Sequence, residues 1–285
     1  MITLHHVYPV ACTTYASPPG LGDYLRGSIA LAHHARERGH ALQLDFSSHP
    51  IGRFLRVPPP APPVEAPFEE FFDVRATMVY DWLDELTPGS PARLSTNLLP
   101  HDSRIDDEIC AIVRRQLDFE PAILEAAERL HRRIADDRFA VLHLRVADAD
   151  FHGEQAASVP LFHYVETRIV PTWGRRIAVV SNNASMKKAL SLRFGLPLID
   201  TAAVHLGAHR GSPDGVRDTL IDFALLARAS QIYSHSVYGW KSGFSHWCAT
   251  LHGIPYERIE LAPTKAAPRL RRWIQRTLQA CETSP

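Results

Sequence analysis

Only four cysteines occur in 285 residues. Cys12, Cys110, Cys248 and Cys281 lie far apart with no CxxC pair, which excludes a disulfide-stapled scaffold or a zinc ribbon and fits reduced thiols used for packing. Net charge is equally scarce: 31 Lys plus Arg balance 31 Asp plus Glu, so no overall field draws in nucleic acid or an anionic membrane. An anionic ligand must therefore be held by a local site. Long apolar runs are missing as well. Stretches such as FAVLHL at 139–144 fall well short of the ~20 residues that span a bilayer, and no basic region followed by an apolar one opens the chain. A soluble, cytoplasmic protein with no transmembrane segment is the expectation.

What is present is ordinary globular composition, 45% hydrophobic and 22% charged, which argues against a disordered or fibrous chain. The length is about twice the ~150-residue scale of one domain, so two packed domains or one large α/β unit fit it. The segment ITLHHVYPV reads as a strand and runs into the turn-forming SPPGLG at 17–22. Leu21, Leu25, Ile29 and Ala32 then recur at helical steps, with Gly39 placed as a stop, and HALQLDF follows as a second strand. This is the opening of a Rossmann-like unit. Residues 47–75, containing VPPPAPPVEAP, read as an irregular surface insertion, because proline supplies no ladder donors. Ile105, Ile109, Ile112, Leu117, Ile123, Leu130 and Ile134 predict two helices broken near Pro121.

The second half repeats the alternation. RFAVLHLRV at 138–146 predicts a strand buried on both faces of a parallel sheet. RRIAVVSNN and LPLIDT read as further strands flanking the helix ASMKKALSLRFG, which stops at Gly195. A helix over GVRDTLIDFALLARAS, the strand QIYSHS, a helix over SGFSHWCATLHG closed by Gly253, and the strand PYERIEL complete the pattern, with no short internal repeat. The fold class is α/β: two Rossmann-like domains with parallel sheets facing a cleft, spanning 1–137, with the insertion 47–75, and 138–262, followed by a last helix within 263–285.

Three places can carry chemistry. In PPGLGDYLRG a glycine loop opens a helix, whose free N–H groups and positive dipole end suit a phosphate or sugar hydroxyl. Gly20, Gly22 and Gly27 give G-x-G-x-x-x-x-G, the wrong spacing for a dinucleotide fingerprint, and a tight turn capped by Asp23 is the plain alternative. At the end of the buried strand, alternation sets His143 and Arg145 on one face, where ligands of open α/β sheets bind. Their guanidinium and imidazole suit a diphosphate, or else Arg145 pairs with Asp148 or Asp150. Ser242, Gly243, Phe244 and Ser245 open a helix beside Lys241, as an anion site or an ordinary serine cap. Asp222, the one acid on a mostly apolar helix, either accepts hydrogen bonds from a nucleobase or faces solvent. The 16 histidines offer no metal constellation: His33 and His34 point apart, and His205 and His209 lack the glutamate of HExxH.

In order and rough spacing, GLGDYLRGSIALAHHARERGHALQLD, FAVLHLRVAD and DTLIDFALLARASQIYSHSVYGWKSGFSHWCATLHG resemble three segments shared by α1,6-fucosyltransferases, nodulation fucosyltransferases and protein O-fucosyltransferases. The resemblance covers about a third of the chain. It implies a GT-B-like fold and a metal-independent, inverting transfer of fucose from GDP-fucose, with no cofactor beyond the donor. It also implies that Arg145, with His143 beside it, neutralises the departing GDP, and that Ser242, Phe244 and Ser245 hold the pyrophosphate. Asp222 would lie near guanine or ribose, and Gly20 and Gly22 would border the cleft. By likeness of the segment GEQAASVPLFHYV, Glu154 is the general base. Asp23 stands where the family commonly has asparagine and is a second candidate; Asp148 and Asp150, in VADAD, compete with both. The acceptor is a glycan, protein or small molecule. The alternatives are another nucleotide-sugar donor or a non-catalytic nucleotide- or sugar-binding module.

Overall fold

The computed structural model describes residues 1–15, 18–56, 68–87, 89–100, 105–146, 154–207, 212–238 and 240–261, with 154–158 described by backbone alone. The last helix expected within 263–285, the proline-dense residues 57–67, Asp148, Asp150, His209 and Cys281 lie outside the described residues. The chain divides into two compact units. One comprises residues 1–124, 204–220 and 250–253, and the other comprises 125–203, 221–249 and 254–285.

The first unit begins with β1 (Thr3–Val7), α1 (Leu21–Arg38), β2 (Ala41–Asp45), β3 (Phe68–Phe71), α2 (Ala76–Asp84), β4 (Ala92–Thr96) and α3 (Asp107–Arg114). Its strands are all parallel in the order β2-β1-β4-β3. Helices α1 and α2 bury Ala30, Leu31, Ala35, Val79 and Leu83 against Leu4, Ala92 and Leu94 of the sheet. Gly39 ends α1 in the left-handed region, at φ 65°, where a side chain is strained. Gly27 is needed for a different reason: a Cβ there would stand 2.0 Å from the Thr96 carbonyl oxygen, so only glycine lets α1 lie this close to β4. That is the packing role of the third glycine of a dinucleotide fingerprint, served here at another spacing.

The chain continues through α4 (Pro121–Ile134), β5 (Ala140–Arg145), α5 (Glu154–Tyr164), a π-helical turn (Val165–Ile169), α6 (Val170–Trp173), β6 (Ile177–Ser181), α7 (Ala184–Phe194), α8 (Pro213–Leu226), β7 (Gln231–Ser236), α9 (Gly243–His252) and β8 (Tyr256–Arg258). The second sheet is also all parallel, in the order β6-β5-β7-β8. Two such sheets in an α/β chain bear out the GT-B-like fold class. Ala140, Leu142 and Leu144 of β5 pack with Phe162, Ile169, Met186 and Leu190 in one core. By strand alternation, His143 and Arg145 therefore occupy the opposite face.

Several expectations are corrected. LPLIDT forms no strand. Its carbonyls at Leu196, Leu198 and Thr201 are taken by side chains, from Ser191 (2.6 Å), Arg133 (3.4 Å) and Lys187, in place of a ladder. Within 47–75, residues Pro50–Phe54 form a 3-10 turn and Phe68–Phe71 form β3, so its described parts are structured. The short β4 and α2 carried no clear periodicity and were not anticipated. Asp23 does not cap α1: Gly20 is the capping residue, with no side-chain hydrogen bond, and Asp23 lies one turn in, 3.8 Å from Arg26.

Candidate functional site

In the second sheet the order of strand addition reverses between β5 and β7, because β6 is added on one side of β5 and β7 on the other. Ligands of open α/β sheets bind outside the carboxyl ends of strands at such a switch point. His143 and Arg145 end β5, in register with Ser234 and Ser236 of β7. The signal for the site therefore comes from topology as well as residue type.

His143 is buried and its Nδ1 lies 3.4 Å from the Ser234 hydroxyl, which in turn lies 3.0 Å from the Ser245 hydroxyl in the first turn of α9. A chain of three polar side chains thus ties β5 and β7 to the helix start. The imidazole packs 5.6 Å from the Phe244 ring, and Phe244 meets Phe223 edge to face at 5.5 Å. Burial, reinforced by the nearby Arg145 charge, lowers the His143 pKa to about 3. His143 is therefore neutral at ordinary pH, and Arg145 is the cation of this pair. A base so weak also makes His143 a poor proton acceptor for catalysis.

Arg145 is half-buried, with its guanidinium carbon 5.0 Å from the centre of the Tyr238 ring. Its carbonyl accepts a hydrogen bond from Val237 N–H at 3.2 Å, which fixes the loop leaving β7 beside it. Among the described residues no carboxylate lies within 4.0 Å of Arg145. Asp148 and Asp150 lie outside them. Ser242 and Ser245 are buried at the start of α9, and the Ser242 carbonyl accepts from His246 N–H at 3.1 Å. The preceding N–H groups, of Gly243, Phe244 and Ser245, have no acceptor within the helix, as at any helix start. Lys241 is exposed beside them; burial, then its charge, lowers the His246 pKa to about 4.

Asp222 does not face solvent. It is 0% exposed and accepts from the Thr201 hydroxyl at 2.8 Å, while the buried Lys187 ammonium lies 3.3 Å from the same hydroxyl oxygen. A buried carboxylate and ammonium joined through one threonine form a fixed polar strut. Sequence reasoning missed Lys187, Thr201, Ser234 and Ser236. The lysine inside SMKKALSL and the serines interrupting a strand were the available signals.

Arg145, His143, Phe244 and Ser245 are brought together by β5, β7 and α9, with Ser242, Gly243 and Lys241 at the same helix start. Glu154 begins α5 by its backbone, and its side chain lies outside the description. Gly20, Gly22 and Asp23 belong to the first unit. There, a Cβ on Gly20 would come 3.0 Å from His205 Nε2, and one on Gly207 2.3 Å from the Pro18 carbonyl oxygen, so the glycine loop is closely covered by residues 205–207. Among the described residues, no three histidine, cysteine or acidic side chains gather in a metal-binding group, and no helix is long and apolar enough to cross a membrane.

No family model matches the sequence, and no curated protein matches it. Solved structures do. NodZ α-1,6-fucosyltransferase soaked with GDP-fucose aligns at 16% identity with a TM-score of 0.53, over 93% of this chain and 97% of that one. Fucosyltransferase NodZ from Bradyrhizobium aligns at 14% identity and a TM-score of 0.52, over 87% and 91%. POFUT1 in complex with GDP aligns at 13% identity and a TM-score of 0.50, over 91% and 98%. The chain therefore shares the fold of the fucosyltransferases that its sequence motifs resemble.

Proposed function

We propose that the protein is a glycosyltransferase that moves fucose from GDP-fucose to an acceptor hydroxyl, inverting the sugar's anomeric configuration without a metal ion. The observation that carries this reading is the placement of Arg145, the cation of its strand end, at the switch point of a parallel sheet, with a serine-rich helix start tied to the same strand through His143, Ser234 and Ser245. The reaction needs exactly such an arrangement of fixed donors where negative charge develops. The acceptor oxygen bonds to the anomeric carbon as the bond from that carbon to the diphosphate oxygen breaks. The electron pair leaves with GDP, and Arg145 and the first N–H groups of α9 stabilise it. His143, neutral, aligns Ser234 and Ser245. Asp222, held inside the unit by Thr201 and Lys187, supports the guanine or ribose end through that strut.

The acceptor oxygen attacks the anomeric carbon from the face opposite the departing diphosphate, which produces inversion, and its proton goes to a carboxylate on that side. Glu154 is the first candidate by resemblance, with Asp23, Asp148 and Asp150 as its competitors. Exchange of Glu154 for Gln is predicted to leave GDP binding intact and to slow transfer; weakened GDP binding would assign it a structural role.

Fold likeness to NodZ soaked with GDP-fucose and POFUT1 bound to GDP supports a guanine nucleotide donor. The test is a thermal-unfolding screen of GDP, UDP, ADP and CMP with their sugars. At one hundred times its dissociation constant a bound ligand stabilises by about 2.7 kcal/mol. GDP and GDP-fucose should shift the midpoint while the others do not, and fucose release from GDP-fucose should persist in the presence of a chelator. A preferential shift with UDP would assign a different donor. GDP binding with neither transfer nor donor hydrolysis would make the chain a binding module.

A further inference from the structure

The strand that presents Arg145 outruns its ladder. On the β6 side the paired residues of β5 stop at Leu144, opposite Ser181, and on the β7 side at Arg145, opposite Ser236. β6 turns away at this point, where Asn183 caps α7 by accepting from Met186 N–H at 2.8 Å. One rung is therefore missing beside Val146, and the side chain of Asn182 supplies it. Its Oδ1 accepts from Val146 N–H at 3.1 Å, and its Nδ2 donates to the Val146 carbonyl at 2.8 Å. A carboxamide has an acceptor and a donor end in one plane, as a peptide group has, so it can stand in for the backbone of a neighbouring strand. Asn182 is an exposed residue, yet both ends of its amide bond this one backbone position.

We propose that Asn182 is a positioning residue for Arg145, acting through the backbone and not on the ligand. The inference rests on the transferase reading above, which gives Arg145 a diphosphate to hold. The Arg145 carbonyl and the Val146 N–H are the two polar groups of one planar peptide unit. Val237 N–H binds the carbonyl at 3.2 Å from the β7 side, and Asn182 binds the N–H from the β6 side. The Val146 side chain is buried in the same core as Leu142 and Leu144. A peptide held at both edges and anchored by the next side chain cannot rock about the strand axis, so the direction in which Arg145 leaves the backbone is set. Tyr238 meets only the far end of that side chain, 5.0 Å from its guanidinium carbon. Without the Asn182 amide the end of β5 is tied to β7 alone, and a shift of about 1 Å is enough to weaken the hold of a preorganised donor.

The test is calorimetric titration of the full chain with GDP and with GMP, which lacks the phosphate that departs from the sugar, joined to amide hydrogen exchange. Asn182→Ala should weaken GDP about fivefold and GMP by less than about twofold. In an Arg145→Ala background the same change should have no further effect on GDP, because two residues that act through one guanidinium are not additive. Val146 N–H should exchange faster in Asn182→Ala, while Val141 and Leu142 in the middle of the central strand β5 stay protected. Equal weakening of GDP and GMP, an undiminished loss in the Arg145→Ala background, or protection lost along the whole of β5 would make Asn182 a residue of the fold alone and overturn the proposal. So would GDP affinity or Val146 exchange like that of wild type. An Arg145→Ala variant that binds GDP as wild type does, or wild-type protein that binds no GDP, would instead overturn the transferase reading, and this inference with it.

Discussion

Each sheet carries a buried histidine on the strand where its order reverses, and the two are chemically near-twins. His6 of β1 and His143 of β5 are both driven to a pKa of about 3 chiefly by burial, and both reach a serine hydroxyl. Their surroundings differ. His6 Nδ1 meets Ser28 of α1 at 2.9 Å, its Nε2 accepts from Thr96 N–H at 3.2 Å, and its ring stacks on Tyr24 at 4.2 Å. Tyr24 continues into a stack with Tyr8 and His49, so His6 is a brace inside a closed core. His143 is followed two residues on by an arginine, and its serine leads to a helix start. The same burial chemistry therefore braces a closed core in one unit and sits beside a cation and a helix start in the other. The neighbour two positions along the strand, Tyr8 in one case and Arg145 in the other, decides which.

That contrast can be broken most forcefully at Gly27, which lets α1 press on the closed core. Gly27→Val should cost about 3 kcal/mol or more, seen as a lower midpoint in urea, because the added atoms run into the Thr96 backbone. A midpoint within error of wild type would show that the helix can back away. Arg145→Ala attacks the other unit: transfer should fall ~100-fold or more, about the effect of removing one preorganised donor to developing charge, with stability preserved. Near-normal turnover would remove Arg145 from the reaction.

Both histidines make the fold sensitive to acid. In the unfolded chain each imidazole binds a proton below its ordinary value of 6.5, whereas in the fold it stays neutral down to about 3. The unfolded state thus takes up more protons in this window, and stability falls as pH drops from 6.5 towards 3, by about 1.4 kcal/mol per pH unit for each histidine. His6→Gln should flatten the measured slope by one such share; an unchanged slope would mean that His6 titrates normally. The smallest effect belongs to Ser245→Ala, which leaves Ser234 short of a partner and should weaken GDP binding about fivefold, roughly 1 kcal/mol, by calorimetry. Unaltered affinity would detach the serine chain from the ligand.

Much of this molecule was legible in its residues. β5, β6, β7, α1, α7 and α9 follow from apolar periodicity, and the left-handed stops at Gly39, Gly195 and Gly253 follow from glycine alone. His143 and Arg145 were recognisable because charge and imidazole interrupt a run that is otherwise fit only for a sheet interior. LPLIDT was misread for the opposite reason: its composition suits a strand, but side chains of Ser191, Arg133 and Lys187 claim its carbonyls. No local pattern shows which backbone groups a distant side chain will satisfy.

The sequence by itself determined the elements, their stops, and the residue types at each strand end, since these depend on periodicity and on backbone freedom within a few positions. Only the tertiary structure decided that β5 and β7 are neighbours, that Asp222 is enclosed with Thr201, and that Arg145 lies over Tyr238. Those facts join residues tens of positions apart, and they are set by which strands pair and which side chains burial brings together.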